Sequence, residues 1–139
     1  METSRLIFIV DDETDYLFLL QALFARFYPT YTVRFFTSGK ALLNELHRLS
    51  EQPDLILLDR HMPEPDGHQT LLALKQHPAF QLIPVVMMSA QATTEEINGC
   101  YQAGVNSFLL KSLDIHSLKQ NLTVLCQYWL ELNLVARYM

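Results

Sequence analysis

Short apolar runs alternate with longer stretches of helical spacing along the chain. Leu6–Val10 (LIFIV) is apolar throughout and stops at Asp11-Asp12, as a strand buried on both faces does. Residues 14–28 are long, rich in apolar side chains and stopped by Pro29, which predicts a helix. Thr32–Phe36 predicts a second strand, and Ser38 the N-cap of a helix to about Leu49. Ala41, Leu42, Leu46 and Leu49 supply that helix with a buried face. Residues 55–58 (LILL) form a third buried run, closed by Asp59. Asp66 predicts the cap of a helix to about His77, which Pro78 ends. A fourth strand follows at 83–88, and Thr93 or Thr94 caps a helix that ends near Gly104. Ser107–Leu110 predicts a fifth strand, and one extended helix runs from about Asp114.

The pattern is a strand followed by a helix, five times over. It predicts an α/β fold: a five-stranded parallel sheet with helices on both faces, doubly wound and flavodoxin-like. In such sheets the functional crevice lies beyond the carboxyl ends of the strands, where the strand order reverses. Polar residues of chemical use stand at those ends. Asp11 and Asp12 follow the first strand, Asp59 closes the third, Ser89 follows the fourth and Lys111 the fifth.

Composition narrows the picture. A chain of 139 residues suits a single domain, 1–139, with no appended unit. A net charge of −5 argues against general nucleic-acid binding, which needs a basic face. Cys100 and Cys126 have no metal-ligand spacing and predict reduced core thiols of a cytoplasmic protein. No apolar run approaches the ~20 residues that span a bilayer. The five histidines, 47, 61, 68, 77 and 116, show no ligand pattern.

Three carboxylates on one sheet edge repel one another unless positive charge sits among them. Their hard oxygens suit Mg2+, which takes one or two carboxylates and bridges to phosphate. A lysine opposite supplies a point charge for phosphoryl oxygens, and a serine hydroxyl one more donor. Together these groups bind a phosphoryl group beside a carboxylate nucleophile.

Asp59-Arg60-His61-Met62-Pro63-Glu64-Pro65-Asp66-Gly67 resembles the response-regulator signature, a phosphoacceptor aspartate followed by Met-Pro and then Asp-Gly. Asp11-Asp12, Ser89-Ala90 and Lys111 match the remaining receiver motifs in order and spacing. The resemblance covers the chain to about residue 128 and implies a single-domain receiver of two-component or phosphorelay signalling. It implies Asp59 as phosphoacceptor, with Mg2+ held by Asp11, Asp12, Asp59 and the backbone carbonyl of His61. Lys111 would pair with the phosphoryl group and Ser89 would swing toward it. Phe108 occupies the aromatic switch position, without a phenol oxygen. The family's usual proline after the lysine is replaced by Ser112, which puts a cis bond there in doubt.

The family also implies a sensor histidine kinase or phosphotransfer protein as donor, docking on the first helix. Asp15, Tyr16 and Leu19 are the residues expected at that surface. The stretch Tyr128-Trp129-Leu130-Glu131 resembles stand-alone regulators that partner bacterial phytochromes. On the last helix, Ile115, Leu118, Leu122, Leu125 and Trp129 form a stripe expected to face the sheet. Tyr128, Leu130 and Leu134 cannot share that stripe and are expected at a homodimer interface. Two other readings compete. A receiver-like scaffold would have lost phosphorylation, against the intact Asp59, Asp12 and Lys111. A haloacid-dehalogenase-like phosphatase would need Asp-x-Asp, and Asp59-Arg60-His61 lacks the second carboxylate.

Overall fold

A computed structural model describes residues 4–112 and 114–136. Its elements run β1 Leu6–Val10, α1 Thr14–Phe27, β2 Thr32–Phe36, α2 Gly39–Arg48, β3 Leu55–Asp59 and α3 Gly67–Gln76. They continue with β4 Val85–Ser89, α4 Thr94–Gln102, β5 Ser107–Leu110 and α5 Ile115–Cys126. A single π-helical turn, Gln127–Leu132, extends α5. The five strands form one parallel sheet in the order β2-β1-β3-β4-β5.

Side chains alternate across a strand, so the sheet has two apolar faces and two cores. Phe8, Val10, Ile56, Leu58, Val85 and Met87 meet Leu42 and Leu46 of α2, Leu71 and Leu74 of α3 and Cys100 of α4. Ile7, Ile9, Leu55, Leu57, Val86 and Met88 meet Leu17, Leu20 and Leu23 of α1 and Leu118, Leu122 and Leu125 of α5. Helix starts follow local hydrogen bonding. Ser38 accepts from Ala41 N, and Asp66 with Gln69 and Thr93 with Glu96 close reciprocal capping boxes. Gly104 takes φ 101° just after α4, a left-handed turn that glycine adopts without a Cβ clash.

Four expectations are corrected. The fourth strand begins at Val85, because Pro84 has no N–H to give and Ile83 N donates to Phe80 O in a turn. At its other end the strand runs one residue further than expected, because Ser89 still pairs with Leu110 of β5. Ser89 is thus the last residue of β4 rather than the one after it. The extended helix changes its spacing after Cys126 and ends at Leu132, and Asn133 N donates to Tyr128 O five residues back. That wider turn brings Leu130 onto the buried stripe, so it belongs to its own chain's core and not to an interface. Ile115, the first residue of α5, lies before the stripe reaches the sheet and is exposed. Trp129 is half-buried against the same core.

Candidate functional site

β1, β3, β4 and β5 are neighbours in that order, so their carboxyl ends lie side by side. Asp11 follows β1, is fully buried, and is tied to β2 by its N–H to Phe36 O at 3.0 Å. Asp59 ends β3 and is buried, while Asp12 is exposed beside the pair. One carboxylate oxygen from each of the three lies within 4.8 Å of the others. Lys111 leaves β5 with its N–H donating to Ser89 O at 2.8 Å, and its side chain is 7% exposed. Its ammonium stands 2.7 Å from Asp11 Oδ2, 3.2 Å from Asp59 Oδ1 and 3.5 Å from Glu13 Oε1. The ammonium also sits over the Tyr16 ring, 4.5 Å from its centroid.

Charge is finely balanced here. Burial pushes the Asp59 carboxyl up to about 6, with help from the charges of Asp11 and Asp12 and against that of Lys111. Burial also raises Asp11, although Lys111 pulls it back. Burial lowers Lys111, but its contacts with Asp11 and Asp59 outweigh that and raise it. Asp11 Oδ2 takes the Lys111 ammonium at 2.7 Å, and Asp11 Oδ1 accepts from Glu13 N at 2.9 Å. An all-oxygen cluster of three carboxylates facing a single ammonium carries excess negative charge and fits a hard divalent cation.

Around the cluster, Ser89 is buried and its hydroxyl donates to the Gln91 carbonyl of the β4–α4 loop. His61 Nε2 lies 3.3 Å from that same carbonyl and 3.3 Å from Glu96 Oε2. Arg60 reaches Asp66 Oδ2 at 3.3 Å and Glu96 Oε2 at 3.8 Å, linking the β3–α3 loop to the start of α4. Gly67 lets that loop fold tightly, since a Cβ there would strike the Asp59 carbonyl and come within 2.6 Å of Arg60 Cα. Phe108 is half-buried against the core beneath α2, α3 and α4. Among the described residues the one cis bond is Glu64–Pro65, so Lys111–Ser112 is trans.

The residues expected to dock a donor separate in space. Asp15 is exposed, Leu19 is half-buried against the core, and Tyr16 turns inward with its phenol oxygen buried. Of the residues expected at a dimer interface, Tyr128 and Leu134 are exposed.

Comparison with known proteins decides the family. The model of the response regulator receiver domain matches residues 7–123. The chain belongs to the response-regulator receiver family. This receiver is 32% identical over 137 residues to the probable methanogenesis regulatory protein FilR2 of Methanothrix harundinacea, covering 95% of this chain and 88% of FilR2. It is similar in structure to the phosphorylated cyanobacterial phytochrome response regulator RcpA, with TM-score 0.88 and 27% identity over 96% of this chain and 99% of that one. Response regulator Rcp1 of Synechocystis sp. is 34% identical over 82 residues, 59% of this chain and 56% of Rcp1. The Mn2+-bound structure of Rcp1 superposes with TM-score 0.84 and 26% identity over 96% of this chain and 99% of that one. The five-stranded parallel sheet with flanking helices is the fold expected from the sequence. Among the described residues no helix is long and apolar enough to cross a membrane.

Sequence reasoning passed over four residues that this receiver places at or near the site. Glu13 adds a third carboxylate near Lys111, and its position directly after Asp11-Asp12 was a signal. Arg60 adjoins Asp59, and Glu96 closes the Thr93 capping box. Phe18, 71% exposed on α1, adjoins Leu19 of the expected docking surface and had no signal in the periodicity.

Proposed function

We propose that this receiver takes a phosphoryl group onto Asp59 and converts the new charge into a change of protein contacts. The observation that carries the reading is the buried Asp59 carboxylate, 3.2 Å from Lys111 and clustered within 4.8 Å of Asp11 and Asp12 oxygens. An Asp59 oxygen attacks phosphorus. The O–P bond forms as the P–N bond of a donor phosphohistidine breaks, and the imidazole leaves with the electron pair. Asp11, Asp12, Asp59 and the His61 carbonyl would hold Mg2+. When bound, the ion neutralises charge on the transferring oxygens. Lys111 holds a phosphoryl oxygen from the other side. Ser89 gives up its bond to Gln91 O and turns to the phosphoryl group, and Phe108 repacks behind it. The reaction is the receiver's own phosphorylation and hydrolysis, with no separate substrate turned over.

Mg2+ binding tests the site without phosphate. At about ten to a hundred times its dissociation constant, Mg2+ should stabilise the receiver by about 1–3 kcal/mol. Beryllofluoride should add to the shift in melting temperature, and Asp12→Ala should remove most of it. An unchanged shift in Asp12→Ala would place the ion elsewhere.

The likeness to a phytochrome response regulator supports a sensor histidine kinase, or a phosphotransfer protein, as donor. Its docking surface on α1 centres on the exposed Asp15 and the half-exposed Leu19. Leu19→Ala should slow transfer from the cognate donor about tenfold and leave phosphorylation by acetyl phosphate unchanged. Equal slowing in both assays would assign Leu19 to the core alone. Two free, buried thiols support a reducing cytoplasm.

The exposed Val124, Tyr128 and Leu110 support a homodimer through α5 and the β5 edge. Leu134, 96% exposed, extends that surface. Sedimentation at tens of micromolar should show a dimer that Tyr128→Glu dissociates. A monomeric wild type, phosphorylated or not, would remove the interface.

A further inference from the structure

Lysine carries a compact charge on a flexible four-carbon stem, so an active-site lysine needs neighbours that decide where its ammonium stands. Carboxylates alone do not decide it in this receiver. Asp11, Asp59 and Glu13 all attract the Lys111 ammonium, and the shortest contact, 2.7 Å, is to Asp11 rather than to Asp59 at 3.2 Å. Something must hold the charge within reach of Asp59.

Tyr16 lies in the first turn of α1, immediately after the Asp11-Asp12 loop. Its ring faces the ammonium at 4.5 Å from the centroid, close enough for attraction to the negative face of the ring. The phenol oxygen is buried and has no hydrogen-bond partner among the described residues. The ring, not the hydroxyl, is therefore what Tyr16 presents to the site. The Lys111 side chain is 7% exposed, so the contact is desolvated, the condition in which it is strongest.

We propose that Tyr16 is a positioning residue: its ring face holds the Lys111 ammonium at the distance from Asp59 that phosphoryl transfer uses. The inference rests on reading Asp59 as the phosphoacceptor and Lys111 as the partner of the phosphoryl group. It reassigns Tyr16 from the donor surface to the interior of the site.

The test uses the full chain, acetyl phosphate as donor and saturating Mg2+, and measures the rate of Asp59 labelling. Tyr16→Leu removes the ring face and should slow labelling about fivefold, with the Mg2+ dissociation constant unchanged. The conservative Tyr16→Phe keeps the ring face and should restore the rate to within about twofold of wild type. In a Lys111→Ala background Tyr16→Leu should have no further effect, because its action runs through the ammonium. A series with Phe at position 16 carrying increasing numbers of ring fluorines keeps the shape and weakens the negative face, so labelling should slow stepwise. The series keeps the test open if Tyr16→Leu does not fold. A flat series, Tyr16→Phe as slow as Tyr16→Leu, or equal slowing without Lys111 would each overturn the proposal. Absence of label from wild-type Asp59 would overturn the phosphoacceptor reading as well, whereas labelled wild type with a flat series overturns only the role of Tyr16.

Discussion

Asp59→Asn should abolish phosphorylation by acetyl phosphate and Mg2+, lowering incorporation at least about 100-fold while leaving the fold intact. An amide has no charged oxygen to attack phosphorus. The wild-type label should be stable in acid and labile in base, as an acyl phosphate is. Asn matches Asp in shape, and Asp59 sits among fully buried strand residues, so the backbone has no reason to move. Circular dichroism beside the labelling assay checks both halves. Equal labelling of the variant would assign the phosphoacceptor to another residue.

The same substitution should stabilise the metal-free receiver at neutral pH by about 1–3 kcal/mol, with a sign that pH reveals. Asp59 is raised from 3.8 to about 6 by burial first and by the charge of Asp11 second. The folded state therefore binds the Asp59 proton more tightly than the unfolded chain does. The stability from that proton is fully present below about pH 4 and is lost as pH rises through about 6. Above that point wild type holds an ionised carboxylate in a buried, crowded place, and Asn does not. Urea titrations with EDTA should show Asp59→Asn more stable at pH 7.5, with the gap closing by about pH 4. Mg2+ should shrink or reverse the gap at pH 7.5, because the ion gains from the carboxylate that repulsion penalises. A gap that is flat from pH 4 to 7.5 would show that Asp59 is not strained by its neighbours.

Strand positions were legible because parallel strands buried on both faces leave continuous apolar runs. LIFIV and LILL end where Asp11 and Asp59 begin, and no helical pattern competes with them. The fourth strand was read two residues early because Ile83 is apolar and buried in a turn, where hydropathy does not distinguish it from a strand residue. Periodicity failed at the end of α5 for a related reason. A π-helical turn changes the spacing in mid-helix, and no residue in Gln127–Leu132 announces that change.

The sequence by itself determined the order of elements, the parallel sheet and the identity of Asp11, Asp12, Asp59, Ser89 and Lys111 as residues at strand ends. These follow from local patterning, in which each run of side chains carries its own signal. Only the tertiary structure decided which way Tyr16 and Leu130 face. Tyr16 lies in the first turn of a helix, and its ring packs against the α1–α5 core and under the ammonium of Lys111, which β5 brings from the far end of the chain. Leu130 is buried because a wider turn and the α1–α5 core meet there. Both outcomes depend on contacts between segments far apart in sequence, and such contacts leave no trace in local spacing.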